Sequence, residues 1–383
     1  MQLSRCFSPC RWGSVLTKTR RKVAVSLGTG PEGGGVRGLC SAGGSEPTRR
    51  ASTAAEQAQT RCNYEETYRR SLESPKEFWE EEAEKITWFK KWDKTLDDSR
   101  SPFFRWFVGG RTNICYNAVD RHVDNGFGEQ TAIIHDSPVS NTIQKLSYRE
   151  LQEQVAKLAA VYVSQGVKYG DRIVIYMPMI PQAVVAMLAA ARIGAIHVLV
   201  FGGFASKELS VRINHCKPRL IVSASYGIEP NRLVDYKELL NNAINLSEHK
   251  PEKCLIYNRP DFPPADLIAE KDLCWDECMA KVRGHDCVSV LTNDPVYLLY
   301  SSGTTGQPKA IVRPSGCHSV VLNWSMKNLY GIDPGEAWWA ASDLGWVVGH
   351  SYICYAPLLG RCQTIIYEGK PVGTPDAGAF FRV

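Results

Sequence analysis

An α/β architecture, with parallel strands covered by helices on both faces, is the fold class this sequence predicts. Three observations carry it. Helix-like and strand-like segments alternate between Ser147 and Ser223, and such repetition builds a parallel sheet. The run Val296-Tyr-Leu-Leu-Tyr300 is a short apolar strand that ends at a loop of small and hydroxylated residues. Composition is that of an ordinary globular protein, 44% hydrophobic and 22% charged over 383 residues. Two or three domains fit that length at roughly 100–200 residues each.

The first segment is basic and poor in acids. Residues 1–50 hold nine Lys/Arg and two Glu, a net of +7, whereas the whole chain is +5, so the remainder carries −2. A body this close to neutral lacks the basic face of a nucleic-acid binder, and no nucleic acid is expected as a partner. Arg11 and then Lys18 to Lys22 interrupt any apolar core that a secretory signal would need. Residues 1–52 have the composition of a mitochondrial transit peptide, which places the protein in the matrix; a disordered basic tail has the same composition. Gly28-Thr-Gly-Pro-Glu-Gly33 matches the dinucleotide fingerprint, but Gly34 and Gly35 follow where a helix must open, so it makes no pyrophosphate seat. The 13 cysteines are scattered and odd in number, as expected of buried thiols in a reducing compartment. Cys274 and Cys278, with His285 and Cys287 nearby, lack the second paired cluster of a zinc site, and no metal ligand set is expected.

Each later element has a local reason. The aromatics Phe78, Trp79, Trp88, Phe89, Trp92, Trp106 and Phe107 read as packing anchors, because no basic groove accompanies them. Ser147-Tyr-Arg-Glu150 is a capping box, so a helix starts there and presents Leu151, Val155, Leu158 and Tyr162 on one face until Gly166. Asp171 to Met177 is the next strand, Ala183 to Ile193 a helix, and Ile196 to Val200 a strand. Leu209 to His215 is a helix opened near Ser206, and Arg219 to Ser223 another strand. The apolar stretch from Ala183 to Phe201 is not a membrane span: Arg192 would cost about 2.5–3.5 kcal/mol at a bilayer centre, and Gly194 marks a helix-to-strand change. Further strands are expected to end at Val347 and Tyr367, and Ala379 to Val383 reads as the middle of a helix.

The loop Tyr300-Ser-Ser-Gly-Thr-Thr-Gly-Gln-Pro-Lys-Ala310 suits a phosphate. Backbone N–H groups approach an anion closely only where side chains are small, and glycines aim successive N–H groups inward. Ser301, Ser302, Thr304 and Thr305 add hydroxyls, Gly303 and Gly306 the backbone freedom, and Lys309 a charge. It is not a Walker A loop, because Gln-Pro-Lys309 follows Gly306. A flexible surface turn has the same composition. Trp346, Val347, Val348 and Gly349 offer either an apolar slot for a few carbons or plain core.

These segments carry a resemblance. The loop is similar to the Thr-Ser-Gly-Thr-Thr-Gly-x-Pro-Lys-Gly signature of acyl-adenylate-forming enzymes, departing from it at Ser301, which keeps the hydroxyl, and at Ala310. The added methyl of Ala310 would weaken the loop if φ there is positive. Trp338 to Tyr352 resembles the acyl-pocket region of short-chain acyl-CoA synthetases. Met177-Pro-Met-Ile-Pro181, Ala191 to His197 and Phe201-Gly-Gly-Phe204 resemble the core of that subfamily, and Gly369 to Gly378 its propionate-type group. The likeness is nearly continuous from about Tyr64 to Val383, so the chain is identified as a member of the acyl-CoA synthetase short-chain family.

The resemblance implies the rest. The fold would be an acyl-adenylate-forming N-terminal domain, incomplete at its C-terminal end: a synthetase-type N-terminal extension over 60–125, then an AMP-binding domain over 126–383, with the C-terminal lid domain absent. The reaction would join a short carboxylic acid, propionate foremost and also acetate or butyrate, to CoA through an acyl-adenylate, with ATP and Mg2+. Ser301, Ser302, Gly303, Thr304, Thr305, Gly306 and Lys309 would hold phosphates, and Trp346, Val347, Val348 and Gly349 the acyl group. Glu229, Pro230, Asn231 and Arg232 would meet CoA, although Glu229 stands where acetate-type relatives carry an arginine. His350 is expected to be structural. The magnesium motif and the adenylation lysine belong to parts of the family beyond Val383, so no catalytic residue is assigned and this chain alone is expected to be inactive. The competing class is a non-catalytic binding or regulatory protein of the same fold.

Overall fold

The computed structural model describes residues 54–229, 232–260, 262–301, 308–370 and 373–383, with side chains from 63 onward. The chain divides into Met1–Gln59 and Thr60–Val383, and the architecture below is that of the second unit. The transit segment expected over 1–52 lies outside the described residues.

The first elements are α1 (Ala54–Glu73) and α2 (Pro75–Ala83), the latter opened by Pro75 at a position where a missing N–H costs nothing. β1 (Lys94–Asp97) and β2 (Arg105–Val108) form an antiparallel ribbon, and β3 (Arg111–Thr112) follows. Trp88, Trp92 and Phe107 pack with ring centroids 4.8–5.6 Å apart. Two π-helical turns, Tyr116–Asp120 and Val123–Phe127, then lead to β4 (Thr131–Ser137) and β5 (Thr142–Ser147).

α3 (Tyr148–Ser164) begins with the capping box: the Glu150 N–H donates to Ser147 Oγ at 3.2 Å and the Ser147 N–H to the Glu150 carboxylate at 2.7 Å. Leu151, Val155, Leu158 and Tyr162 are fully buried, as the spacing predicts. Each buried aliphatic side chain contributes about 1.5–3 kcal/mol. β6 (Arg172–Tyr176), α4 (Pro181–Arg192), β7 (Ile196–Leu199), α5 (Ser206–Cys216) and β8 (Leu220–Ala224) then alternate. A hairpin of β9 (Tyr226–Glu229) and β10 (Arg232–Asp235) precedes α6 (Tyr236–Leu246), which Asp235 caps by accepting from the Glu238 N–H at 2.7 Å. β11 (Lys253–Tyr257), β12 (Asp272–Cys274), α7 (Trp275–Ala280) and β13 (Val290–Leu291) follow. Next come β14 (Pro295–Ser301), β15 (Lys309–Pro314), α8 (Ser315–Asn328) and β16 (Ala337–Trp338). The last elements are α9 (Val347–Gly349), α10 (Ala356–Leu359), β17 (Gln363–Tyr367) and α11 (Ala379–Arg382).

The larger sheet has the order β12-β11-β8-β6-β7-β14-β15. Its strands run parallel from β12 to β14, and β15 closes the edge antiparallel. Side chains alternate between two cores, as period-2 geometry requires. Ile173, Ile175, Leu220 and Val222 face α3 and α4, whereas Val174, Tyr176, Val198 and Ile221 face α5 and α6. The second sheet, β16-β17-β4-β5, pairs β17 parallel with β4, setting Thr364 opposite Ile133. Among the described residues no helix is long and apolar enough to cross a membrane.

Two expectations need correction. Val347 does not end a strand. It opens α9, and the chain keeps winding through the π-helical turn His350–Tyr355 into α10; the strand of this region is the short β16. Ala310 is not at positive φ. It lies in β15 opposite Tyr300, an extended position where a methyl is harmless.

Candidate functional site

Topology selects the site before any side chain does. β6 leads through α4 to its neighbour β7, and β7 leads through α5 across to β8 on the other flank of β6. The two crossover helices therefore cover opposite faces, and the carboxyl ends of β6–β8 form a switch point, where open α/β sheets bind ligands. A cavity of about 250 Å³ lies there. Its walls come from the turns after three strands of the large sheet and two of the small one: Pro178–Met179, Phe201–Gly203, Gly227–Glu229, Trp339–Asp343 and Tyr367–Lys370.

A buried ion pair ties those two sheets together. Arg259, just after β11, grips Glu368, just after β17, with contacts of 2.5 and 2.9 Å, and Ser137 of β4 donates to the same carboxylate at 2.8 Å. Both charged side chains are almost wholly buried, and Glu368 lines the cavity. Asp343 and Glu229 are the other carboxyls in the wall. Asp343 keeps part of its surface toward the cavity and has no ion-pair partner among the described residues. Its dense surroundings push its carboxyl up to about 6, against the Gly345 N–H that donates to it at 2.7 Å.

The expected CoA residues divide. Glu229 lines the cavity and lies 3.6 Å from Lys370 and 3.8 Å from Arg232, its partner across the β9–β10 hairpin. Arg232 points outward with 69% of its side chain exposed. Pro230 and Asn231 lie outside the described residues.

The expected phosphate loop also divides. Ser301 ends β14 and faces Lys309 across the β14–β15 pairing, and both are exposed. Ser302, Gly303, Thr304, Thr305 and Gly306 lie outside the described residues. The root of the loop is well anchored. The Tyr300 hydroxyl bonds to His215 Nδ1 at 2.6 Å, and the Arg212 guanidinium lies 4.4 Å over the Phe204 ring and 5.5 Å over that of Tyr300.

Trp346, Val347 and Val348 are neither core nor a closed slot: they are 48%, 47% and 42% exposed. They do not line the cavity, but Phe201, which does, packs against Trp346 with ring centroids 5.2 Å apart. Two glycines make that approach possible. A Cβ on Gly345 would come within 2.7 Å of Phe201 Cα, and one on Gly349 within 2.0 Å of the Asp343 carbonyl oxygen. His350 lies beneath this turn, fully buried, with Nδ1 3.0 Å from the Trp346 carbonyl. Burial lowers His350 to about 4, His318 to about 3 and His197 well below the usual range. All three are neutral struts at pH 7, with His197 Nε2 bonded to the Tyr355 hydroxyl at 2.6 Å. That is the structural role expected of His350.

Cys287 does not group with Cys274 and Cys278. It lies with Cys115 and Asp120, their ligand atoms within 4.8 Å of one another. Arg192 holds Asp120 there at 2.7 and 2.9 Å, so a guanidinium already compensates the carboxylate. Asp343, Glu368, Lys370 and Phe201 were not singled out as site residues from sequence. Asp343, Phe201 and Lys370 do lie within the quoted motifs, and the Asx-type contact of Asp343 with Gly345 was a usable signal.

A parallel sheet with a cavity at its switch point, beside the β14–β15 hairpin, is the arrangement at which open α/β proteins bind ligands. The family model described as "AMP-binding enzyme" matches residues 120–383, and that described as "Acetyl-coenzyme A synthetase N-terminus" matches 64–118. The chain belongs to the AMP-binding enzyme family. It is 57% identical over 358 residues to human (Homo sapiens) "Acyl-CoA synthetase short-chain family member 3, mitochondrial", covering 92% of this chain and 50% of that protein. The Rattus norvegicus protein of the same name is 60% identical over 320 residues, 84% of this chain and 47% of that one. "Propionate--CoA ligase" of Salmonella typhimurium is 42% identical over 323 residues, 84% of this chain and 51% of that one. The chain thus spans about half the length of the curated relatives it matches.

Proposed function

We propose that this chain carries the acid- and CoA-binding half of an AMP-forming short-chain acyl-CoA synthetase, with propionate the preferred acid. The observation that carries the reading is the convergence of Glu229, Phe201 and Asp343 on one cavity, with Trp346 against Phe201 and the Ser301–Lys309 hairpin on an adjacent strand of the same sheet. The carboxylate of the acid attacks the α-phosphorus of ATP, pyrophosphate leaves, and the CoA thiol then displaces AMP. Phosphoryl chemistry of this kind is catalysed mainly by positioning and by stabilising spread negative charge. Ser301 and Lys309, with Ser302, Gly303, Thr304, Thr305 and Gly306, hold the β- and γ-phosphates. Trp346, Val347, Val348 and Gly349 form one side of the acyl site; their exposure leaves the slot to be closed by residues from elsewhere. The narrow cavity suits the pantetheine arm of CoA, with Lys370 and Arg232 at its rim as phosphate partners. Mg2+ would accompany ATP and neutralise its phosphates.

In this reading residues 1–52 are a transit peptide, residues 60–125 the extension and residues 126–383 the AMP-binding domain, and the protein works in the mitochondrial matrix. The relatives' mitochondrial names and the +7 charge of residues 1–50 support the address. The test is acid-dependent pyrophosphate release, measured on this chain and on this chain fused to the remaining C-terminal part of the human relative. Release by the fusion, strongest with propionate, is the expected result. No release with any acid of two to four carbons would overturn the ligase reading in favour of a non-catalytic binding protein.

A further inference from the structure

A second cavity, about 760 Å³, is lined by residues between 84 and 127 and by residues between 323 and 361. It shares no lining residue with the first. Its walls are the segment after α2, the π-helical turns, α8 and the turn after α10, and its apolar floor includes Ile86, Met326 and Ile332.

The charge around it does not balance. Glu84 pairs with Lys91, Lys85 with Glu82, and Lys327 with Asp333, so each of those lining residues is compensated. Arg121 and Arg361 are not: among the described residues neither is in an ion pair. Arg121 donates only to neutral oxygens, those of Lys85 at 3.1 Å, Asn323 at 3.3 Å and Leu359 at 2.5 Å, and its Nε is buried without a partner. Burying a guanidinium without an anion is costly, and burial lowers Arg121 to about 10. His122 between them adds no negative charge, since it is neutral and bonded to the Leu358 carbonyl at 2.8 Å.

Arg361 adds an independent sign. It follows Gly360 and has φ +58, a left-handed conformation that costs a side-chain-bearing residue about 1–2 kcal/mol. Its guanidinium lies 3.7 Å over the Phe127 ring and donates to Gln130 Oε1 at 2.6 Å, which holds the fork over the cavity. A charge kept at a strained position, stacked and aimed at a pocket that already holds an unpaired guanidinium, has the form of an anion receptor.

We propose that Arg121 and Arg361 form a binding site for the oxyanion group of a small molecule, either a phosphate or a carboxylate, separate from the sheet-end cavity. The oxyanion accepts from both guanidiniums, and the apolar floor takes the body of a carrier molecule.

The site is tested by calorimetric titration and thermal melts of the 383-residue chain with inorganic phosphate, acetate or chloride at matched ionic strength. Phosphate or acetate is expected to raise Tm beyond chloride, and whichever does so names the group. R361Q is the main variant, because it leaves the backbone bonds of Arg121 in place; it should weaken that affinity at least fivefold. R121K keeps a charge but loses the fork and should weaken it as well. K309A should leave it unchanged, which separates this site from the proposed phosphate loop. Equal shifts with all three salts, or a shift lost in K309A and kept in R361Q, would overturn the proposal. Neither outcome depends on whether the chain makes acyl-CoA.

Discussion

The two ends of the large sheet are built on opposite terms. Near the amino-terminal ends of its strands, residues 113–120 tie buried polar groups together. Asn113 Nδ2 donates to the carbonyls of Ala191, Arg192 and Val288 at 2.9–3.1 Å, and the buried pair Arg192–Asp120 lies beside it. At the carboxyl ends lie a cavity, an Asp343 with no ion-pair partner among the described residues, and exposed Trp346, Val347 and Val348. One end is tied together by buried polar contacts and the other is left open. Active sites are where local rules are broken and the rest of the fold compensates.

The strongest way to break this contrast is to unpair the closed end. R192M leaves the Asp120 carboxylate buried without a cation and should cost about 3–5 kcal/mol, read from the midpoint of urea unfolding. A loss below 1 kcal/mol would show that the closed end is not the stabilising one. Next in size is G349A, where the new Cβ would press on the Asp343 carbonyl oxygen. We expect about 1–3 kcal/mol of destabilisation and a shifted Trp346 fluorescence maximum, reporting the displaced turn.

The open end should behave the other way. Asp343 has a folded pKa raised above its unfolded value, so its contribution to stability is present below about pH 4 and lost as pH rises through about 6. D343N should therefore stabilise the chain at pH 7.5, by on the order of 1 kcal/mol, and have little effect at pH 4. Destabilisation at pH 7.5 would instead make Asp343 a structural strut for the Gly345 turn. His197, His318 and His350 carry the opposite sign. Their folded pKa values are depressed, so the unfolded chain takes up protons first and stability falls as pH drops below about 6.5. H318Q should flatten that acid limb in pH-dependent melts. The smallest effect belongs to R232A: a rim arginine, 69% exposed, should change Tm by the equivalent of less than about 0.5 kcal/mol.

What was legible in the sequence follows the same division. The Ser147–Glu150 box, the buried face of α3 and the alternation from β6 to β8 were readable because each rests on contacts a few residues apart. The second sheet was not, because β17 pairs with β4 across more than two hundred residues and no local period marks it. Apolar content alone misread Val347: Trp346-Val-Val could be strand, core or exposed helix start, and only the tight fit of Gly349 under Asp343 decides among them. The site's carboxyls were hidden for a similar reason, since Asp343 and Glu368 come to one cavity wall only through the parallel pairing of β16 with β17.

The Arg259–Glu368 pair gives the meeting of the two sheets a mechanical meaning. It acts as a rivet between two plates, and one of its ends is part of the cavity wall. Surface ion pairs slacken as salt is added, but a pair this deeply enclosed lies beyond the reach of the ionic atmosphere. The gap between the plates is therefore a gauge set by bond lengths rather than by the medium. A ligand that fits it at low ionic strength meets the same aperture at high ionic strength.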